Sequence, residues 1–385
     1  MAGNIIIVTI VVTDQHFHTP MYFFLGNLSC LETCYTSTIL PRMLASLLTG
    51  DRNISTHLMA NTEGRNQTSI SEFILLGFGN LPELQLLLFL LFLVIYMVTV
   101  AGNILIVALV VTDQHLHTPM YFFLGNLSCL ETCYSSSILP RMLASLLTGD
   151  RTISVRICIM QYYFFSFLAG VECCLLSAMS YDRYLAICKP LHYTALMNGR
   201  LCLQLAAGSW INGLLASNIL TSLMSQLSFC GPNEVDHFFC DFAPVKKLSC
   251  GDTRLMDLLA FILASIFTLP PFLLTLASYV CIIATILRIP STTRRQKAFS
   301  TCSSHLIVVT LFYGTLMIVY MLPDTDTLKV LNKVFSIFYT ILTPMVNPLI
   351  YSLRNREVKE ALKRAVSAFL MCTGIDTFQT KGFCR

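Results

Sequence analysis

Long apolar blocks separated by short polar segments dominate the chain from Met59 onward. The blocks lie at about 84–111, 120–147, 157–181, 201–226, 255–288, 303–322 and 330–353. Each is roughly 20 residues or longer, the length that a helix needs to cross the hydrocarbon core of a bilayer. The pattern predicts seven membrane-spanning helices, and prolines inside them, such as Pro140 and Pro270, are tolerated in helices of this kind.

The composition agrees with a chain that lies in a lipid bilayer. Apolar residues make up 55% of the 385 positions and charged residues only 12%, whereas about 25% charge is usual for a soluble domain. The formal net charge of +4 is small for this length. We therefore expect no nucleic-acid partner, because such a partner needs a strongly basic face. The start of the chain lacks the pattern of a cleavable signal peptide.

Positive charges in the polar segments orient the predicted bundle, because cytoplasmic loops carry an excess of Lys and Arg. The segments assigned to the inside carry twelve such residues, and the opposite side carries eight. The sequon at Asn66 and a cysteine-rich loop fall on the predicted outside, which agrees with a glycosylating and oxidising compartment. We expect Asn66 to be glycosylated.

Residues 2–55 repeat residues 101–154 at a constant offset, with differences at seven of 54 positions. Solenoid repeats diverge more than this and recur at least three times, so the pattern indicates a recent duplication. The predicted organisation is a duplicated leader at 1–58 with one possible extra span at 21–48, an extracellular segment at 59–83, a seven-helix domain at 84–353, and a cytoplasmic amphipathic helix and tail at 354–385. Our hypothesis is that the leader is a tandem-duplication or gene-model product and that Met59 is the working start.

Seven motifs occur in a fixed order along the seven-helix domain. They are GN at 102–103, LHTPMYFFLGNLS at 116–128, MSYDRYLAIC at 179–188, SY at 278–279, KAFSTCSSHL at 297–306, FYG at 312–314 and PMVNPLIYSLRN at 344–355. Together they closely resemble the vertebrate olfactory receptors of the rhodopsin-like G-protein-coupled class. The resemblance implies an all-α bundle of seven transmembrane helices, a small volatile odorant as ligand, and a stimulatory heterotrimeric G protein that raises cyclic AMP. It implies no cofactor.

Asp182 and Arg183 are charged residues at a predicted helix end near the membrane surface, where a charge is tolerated if it is paired or hydrated. An arginine there can form a local ion pair in one state and bind another partner in a second state. The resemblance implies that this switch admits the G protein, with Tyr184, Tyr279, Asn347, Pro348 and Tyr351 taking part. The alternative is an arginine that only sets the topology.

Glu131 and Glu172 are carboxylic acids in the middle of predicted spans, and intramembrane acids are costly and usually functional. The resemblance implies that they face each other near Asn103 and Asn347, in a polar site that holds a sodium ion or waters in related receptors. Two like charges at close range disfavour joint ionisation, so we expect the pair to share a proton. The alternative is a protonated Glu that hydrogen-bonds to neighbouring helices.

Four cysteines lie in or beside the predicted outer loops, and four cysteines allow three pairings. The resemblance favours Cys158 with Cys240 and Cys230 with Cys250. The stretch HFFCD at 237–241 has an alternative interpretation as a metal site of His, thiolate and carboxylate ligands. An oxidised Cys240 would supply no thiolate, so we expect no metal here.

Helix phase predicts the ligand site. Tyr162, Ser166, Ala169, Gly170 and Cys173 recur at spacings of three and four, so they share one face of the third predicted helix. The resemblance points this face inward, opposite Leu263, Phe267, Tyr313, Leu316 and Tyr320. Such a pocket is aromatic and aliphatic without an ionised anchor, and it suits a small, weakly polar molecule. The alternative is that several of these residues only pack helices together.

Other classes of protein fit the sequence less well. It contains no nucleophile elbow, phosphate-binding glycine loop or zinc-binding helix motif, so we expect no enzyme. A transporter also places acids in membrane helices, but its repeats are often inverted and span the chain. The remaining alternatives are a rhodopsin-like receptor for a non-odorant molecule and a non-signalling chimera disabled by its leader.

Overall fold

The structure, a computed structural model, describes residues 70–79, 82–230, 232–321 and 326–372. The duplicated leader, the sequon at Asn66 and the end of the tail lie outside these residues. The described part is dominated by long helices, which we number in chain order: α1 Pro82–Thr112, α2 Pro119–Thr148, α3 Val155–Cys188, α4 Gly199–Ser225, α5 Arg254–Leu287, α6 Thr292–Met321, α7 and α8 Arg356–Cys372. Helix α7 consists of Asp326–Ile337, a π-helical turn Phe338–Leu342, and Thr343–Arg354.

A small sheet closes one end of the bundle, which we call the strand end. Strand β1 (Glu72–Leu75) lies between β2 (Thr152–Ser154), to which it is antiparallel, and β3 (Glu234–Val235), to which it is parallel. Phe73 pairs with Ile153 in register, and both side chains are buried. The sheet therefore fastens the segment before α1 to the loops that follow α2 and α4.

Five of the described helical segments are long and apolar enough to cross a membrane. They are Glu83–Thr112, Val155–Cys188, Arg254–Leu287, Ala298–Tyr320 and Leu331–Tyr351, which belong to α1, α3, α5, α6 and α7. Helices α2 and α4 have similar lengths, 30 and 27 residues, but both are interrupted by many Ser, Asn and Gly residues. Their crossing of the membrane stays a prediction of the apolar pattern.

The helix limits follow local chemistry. Asn198 precedes α4 and its side chain accepts a hydrogen bond from the amide of Leu201 at 2.9 Å, as an N-cap does. Helix α2 ends at Gly149, whose φ of 74° lies in the left-handed region that glycine favours. Helix α6 begins 11 residues before the predicted apolar block at 303, because the polar stretch before that block continues the helix.

Helix α3 lies at the centre of the bundle, in contact with α2, α4, α5 and α6. Its middle carries buried side chains on several faces, including Val171, Glu172 and Leu175. A helix buried on all sides has no strongly one-sided apolar pattern. Helix α3 therefore connects the two ends of the bundle and contacts four other helices between them.

Helix α8 packs against the loop between α1 and α2, at the end of the bundle opposite the sheet, which we call the α8 end. Arg364 donates to a carboxylate oxygen of Asp113 at 2.6 Å, and the hydroxyl of Tyr121 donates to Glu357 at 2.6 Å. Val358 of α8 is buried, while Lys363 and Arg364 of the same helix are exposed. This amphipathic arrangement agrees with a helix that lies along a membrane surface.

Candidate functional site

The side chains predicted to form an intramembrane polar site, on the first, second, third and seventh helices, lie near one another. Asn103 of α1 donates to the carbonyls of Thr99 and Pro344, each at 3.1 Å. Asn347 of α7 donates to a carboxylate oxygen of Glu131 on α2. Glu131, Asn103 and Asn347 are all buried. The site therefore joins α1, α2 and α7 through two motif residues, Asn103 and Asn347, and the intramembrane acid Glu131.

Glu172 on α3 adds a second buried acid to this site. It is 0% exposed and lies within electrostatic range of Glu131. Neither of its carboxylate oxygens has a hydrogen-bond partner within the described part of the chain, and the same holds for one oxygen each of Glu131, Asn103 and Asn347. Buried oxygens of this kind are normally satisfied by water or a hard cation. The donor set therefore fits the water or cation that the resemblance implies.

A second polar cluster lies at the α8 end. The guanidinium of Arg183 donates two hydrogen bonds to Asp182, at 2.8 Å and 3.1 Å, and the Asp182 side chain is 1% exposed. The hydroxyl of Tyr193 donates to the second oxygen of Asp182 at 2.8 Å. Sequence reasoning missed Tyr193, because its segment reads as an ordinary polar loop. Within the described part of the chain, the arginine is thus held by its own neighbour and not by a distant helix.

The tyrosines expected beside this pair lie on several helices. Tyr279 of α5 shares a hydrogen bond of 2.6 Å with His305 of α6, and Tyr351 of α7 is 1% exposed. Tyr184 stacks on Tyr181 with ring centroids 6.2 Å apart. The sequence analysis did not single out His305, although a lone histidine in an apolar run was a usable signal.

Pro348 of α7 packs closely on α1. A Cβ atom added to Gly102 would lie 3.2 Å from the Cβ of Pro348. A larger residue at position 102 would therefore push α7 away from α1. This contact gives Gly102 and Pro348 a packing function beside Asn103 and Asn347.

The predicted ligand residues come together only in part. The hydroxyl of Tyr313 on α6 donates to the backbone carbonyl of Cys173 on α3 at 2.8 Å, and both side chains are buried. Tyr162 is buried between Phe165 and Phe242. Side chains of Ala169, Leu263, Phe267 and Leu316 are half-buried. Helix α3 contacts both α5 and α6, and Tyr313 of α6 packs on Phe272 of α5 with ring centroids 5.2 Å apart. We call this region the face between α3, α5 and α6.

Two of the predicted ligand residues face α4 instead, which corrects the assumed orientation. Ser166 shares a hydrogen bond of 2.9 Å with Ser217 of α4. A Cβ atom on Gly170 would lie 3.1 Å from the Cα of Gly213. Spacings of three and four residues spread over a wide arc of a helix, so periodicity could not separate the α4 side from the α5 and α6 side.

Asp241 was absent from the predicted ligand site, yet it lies at the strand end of the same face. It is 3% exposed, and the hydroxyl of Tyr320 donates to it at 2.9 Å. The backbone amide of Phe242 donates to its other oxygen at 2.7 Å. The sequence analysis considered this residue only as a metal ligand and expected no ionised anchor. A buried carboxyl group therefore stands beside Tyr320.

Both disulfides implied by the resemblance are present. Cys158 at the start of α3 pairs with Cys240, and Cys230 pairs with Cys250 within the loop. The sulfur of Cys240 is therefore unavailable as a metal ligand, and HFFCD does not supply the thiolate that a metal site would need. The first bond fixes Cys240, and with it the neighbouring Asp241, at the start of α3.

Burial shifts the titration of these two loop residues in opposite senses. Burial lowers the pKa of His237 to about 3 and raises the pKa of Asp241 to about 6. A lowered histidine pKa makes stability fall as the pH drops below the unfolded value near 6.5, and a raised aspartate pKa makes stability fall as the pH rises from about 4 to 6. Each slope is about 1.4 kcal/mol per pH unit.

We predict that these slopes offset each other between pH 4 and 6 in the natural chain. In Asp241→Asn only the effect of His237 remains, so the unfolding midpoint should fall as the pH drops through this range. His237→Asn should do the opposite, with a midpoint that falls as the pH rises. Thermal unfolding of purified protein at several pH values measures this, and parallel curves for the two variants would refute it.

The sequence of this chain matches known receptor families. The family described as "Olfactory receptor" matches residues 92–368, and the one described as "7 transmembrane receptor (rhodopsin family)" matches residues 3–64. Human Olfactory receptor 10A7 is 53% identical over 302 residues, 78% of this chain and 96% of that protein. Mouse Olfactory receptor 5AP2 is 45% identical over 309 residues, 80% of this chain and 98% of that protein. This multi-pass membrane protein is not an enzyme, and it belongs to the olfactory receptor family.

Proposed function

We propose that the chain binds a small volatile odorant within its helix bundle and in response activates a stimulatory heterotrimeric G protein, which raises cyclic AMP. The observation that carries the proposal is the ion pair between the buried Asp182 and the half-buried Arg183 at the α8 end of α3. A locally paired arginine is one side of a two-state switch, since it can be released when a second state offers another partner.

The ligand would bind near the strand end, on the face between α3, α5 and α6. Tyr162, Cys173 and Tyr313 line this face with buried side chains, and Leu316 adds apolar surface. Burial of apolar surface would supply most of the affinity, while a few polar groups would orient the ligand. Asp241 and Tyr320 place a hydrogen-bonding pair at its outer edge. A small, weakly polar molecule is the ligand class that matches.

Coupling between the two ends would run through α3 and α6. Tyr313 of α6 is hydrogen-bonded to the backbone of α3. His305, which precedes Tyr313 on α6 by about two turns, is hydrogen-bonded to Tyr279 of α5. A ligand that shifts α6 at Tyr313 would bias the packing around His305 and Tyr279, which lie toward the α8 end. A ligand can shift such an equilibrium only by its difference in affinity for the two states.

The same proposal includes an orientation of the helices in the membrane. All seven helices α1 to α7 would cross the membrane, with the strand end outside and the α8 end in the cytoplasm. The two disulfides lie at the strand end, as an oxidising exterior requires. Arg364 and Lys363 on α8 would face the anionic inner leaflet. Asn66 would carry the glycan on the outside, and the partially unsatisfied oxygens around Glu131 and Glu172 would hold water or a cation.

A panel of volatiles tests the proposal in cells that report cyclic AMP. The full chain and the chain from Met59 would each be expressed with confirmed surface display. We expect at least one volatile to raise cyclic AMP through the Met59 form. A response from the full chain as well would show that the leader is tolerated.

A pocket variant tests where that volatile binds. Leu316→Trp adds bulk to the half-buried inner side of α6 and should abolish or alter the response. Met317→Trp is the matched control, since Met317 is 39% exposed on the outer side of the same turn, and it should leave the response unchanged. Equal responses from both variants would exclude this face as the ligand site.

A further inference from the structure

A cavity lies outside the helix bundle, at the strand end. It has a volume of about 460 Å³ and lies between the segment Leu76–Gly79, which follows β1, and the first turns of α7. This volume is within the range of about 300–1,000 Å³ that small-molecule sites occupy. The cavity is a half-open groove, and it is separate from the face between α3, α5 and α6.

The groove carries more positive than negative charge. Lys333 of α7 forms an ion pair with Asp236, and its ammonium group also lies 3.4 Å from the carbonyl oxygen of Gly77. Arg151 donates to the carbonyl of Gly79 at 2.9 Å, and it forms no ion pair with a carboxylate among the residues that the structure describes. Among the described residues that line the groove, two are therefore cations, Arg151 and Lys333, and one is a carboxylate, Asp236.

The acid next in sequence to Arg151 does not neutralise it in the structure. One carboxylate oxygen of Asp150 accepts hydrogen bonds from the amide and the hydroxyl of Thr152, at 2.9 Å and 2.7 Å. The guanidinium of Arg151 instead binds neutral carbonyl groups, which leaves its charge uncompensated within the groove. An anion is the ligand chemistry that would compensate it, and a carboxylate matches the planar fork of an arginine.

The other walls of the groove are apolar. Val334 is 44% exposed on α7, and Ile337 lies one turn further along. Phe78 is fixed at the base by ring stacking between Phe92 and Phe238, with centroids 5.5 Å and 5.6 Å apart. An exposed aliphatic wall beside two cations suits a molecule with an apolar tail and an anionic head.

We propose that this groove is a second binding site, outside the bundle, for a small carboxylate amphiphile such as a medium-chain fatty acid. The carboxylate binds Arg151 and is attracted by Lys333, and the tail lies along Val334 and Ile337. The site is distinct from the one in the proposed function, and its occupancy is measured by binding without any signalling readout.

Photoaffinity labelling of the purified full chain in phosphatidylcholine nanodiscs tests the proposal. A diazirine-bearing decanoate serves as the probe, octanoate as the competitor, and 1-octanol as the neutral competitor of equal length. We expect the probe to cross-link to residues 76–79 and 333–337. Octanoate should block this cross-linking, and the same concentration of 1-octanol should not. Cross-links confined to α3, α5 and α6, or equal competition by the alcohol, would overturn the proposal.

Charge variants provide the second arm of the test. Arg151→Gln should weaken competition by octanoate about tenfold, a loss of about 1.4 kcal/mol. Lys333→Gln should weaken competition by octanoate at least as much, because the substitution leaves the Asp236 carboxylate unpaired beside the ligand. The carbonyl contacts of Arg151 are kept in this variant. Arg254→Gln is the control, since Arg254 lies outside the groove lining with a side chain that is 94% exposed. Unchanged affinity in both groove variants, or an equal loss in the control, would refute the site.

Discussion

Replacing Arg183 with alanine is expected to abolish the cyclic AMP response to any volatile that activates the chain. The side chain is 13% exposed and is held by two hydrogen bonds from its guanidinium to Asp182. Alanine removes both the local ion pair and the group that a G protein would contact after release. The ligand face is unchanged, because Tyr162, Cys173 and Tyr313 lie toward the other end of the bundle.

Folding must be separated from signalling in that experiment. Asp182 keeps the hydrogen bond from Tyr193 at 2.8 Å in the Arg183→Ala variant, so its carboxylate is not left without a partner. Surface display is measured by antibody staining, and the response is normalised to it. Arg200→Ala is the matched control, since Arg200 is an exposed arginine at the start of α4, and its response should persist. A normal response from Arg183→Ala would contradict the proposed switch.

Gly213→Ala is expected to destabilise the bundle strongly, although it adds a single methyl group. A Cβ atom at position 213 would lie 2.6 Å from the carbonyl oxygen of Phe167, 2.6 Å from a methyl carbon of Val171 and 2.9 Å from the amide nitrogen of Val171. Two of these three atoms belong to the backbone of α3, which cannot rotate away. Overpacking of this kind costs about 1–3 kcal/mol, and the rigid backbone places Gly213→Ala at the upper end.

The same helix supplies the control. Gly208 also lies in α4, and a Cβ atom there would meet nothing within 4 Å. Gly208→Ala should therefore be neutral or stabilising, by up to about 1 kcal/mol from helix propensity. Thermal unfolding midpoints of the two purified variants measure the difference. Equal midpoints would mean that α3 and α4 are further apart than the structure places them.

Close contact between α3 and α4 explains why part of the ligand prediction was wrong. Small residues allow membrane helices to approach closely, and Gly170 and Ser166 serve this purpose against Gly213 and Ser217. In the sequence they share the spacing of Tyr162 and Cys173, so they were assigned to one inward face. The helix that each residue touches depends on the rotation of α3 relative to α4, which the spacing does not contain.

Asp241 shows a different limit of the sequence analysis. Its sequence context suggested only a metal ligand, yet the disulfide from Cys158 to the neighbouring Cys240 ties this loop to the start of α3, and Asp241 is 3% exposed. Its hydrogen bond from Tyr320 then joins the loop to α6. Tyr193 and His305 were missed for the same reason, since their partners lie 11 and 26 residues away on other elements.

The sequence by itself determined the class of the protein, the long apolar helices and most of the polar residues that meet between these helices. These properties depend on composition, length and local motifs. Family membership followed from motifs in a fixed order, and the motifs included Asn103 and Asn347, while Glu131 stood out as an acid within an apolar block. Only the tertiary structure decided which face of α3 meets α4, which loop residues are buried, and which charges in the groove at the strand end lack a partner. Those properties depend on the rotation and spacing of neighbouring helices, which are set by the packing of the whole bundle.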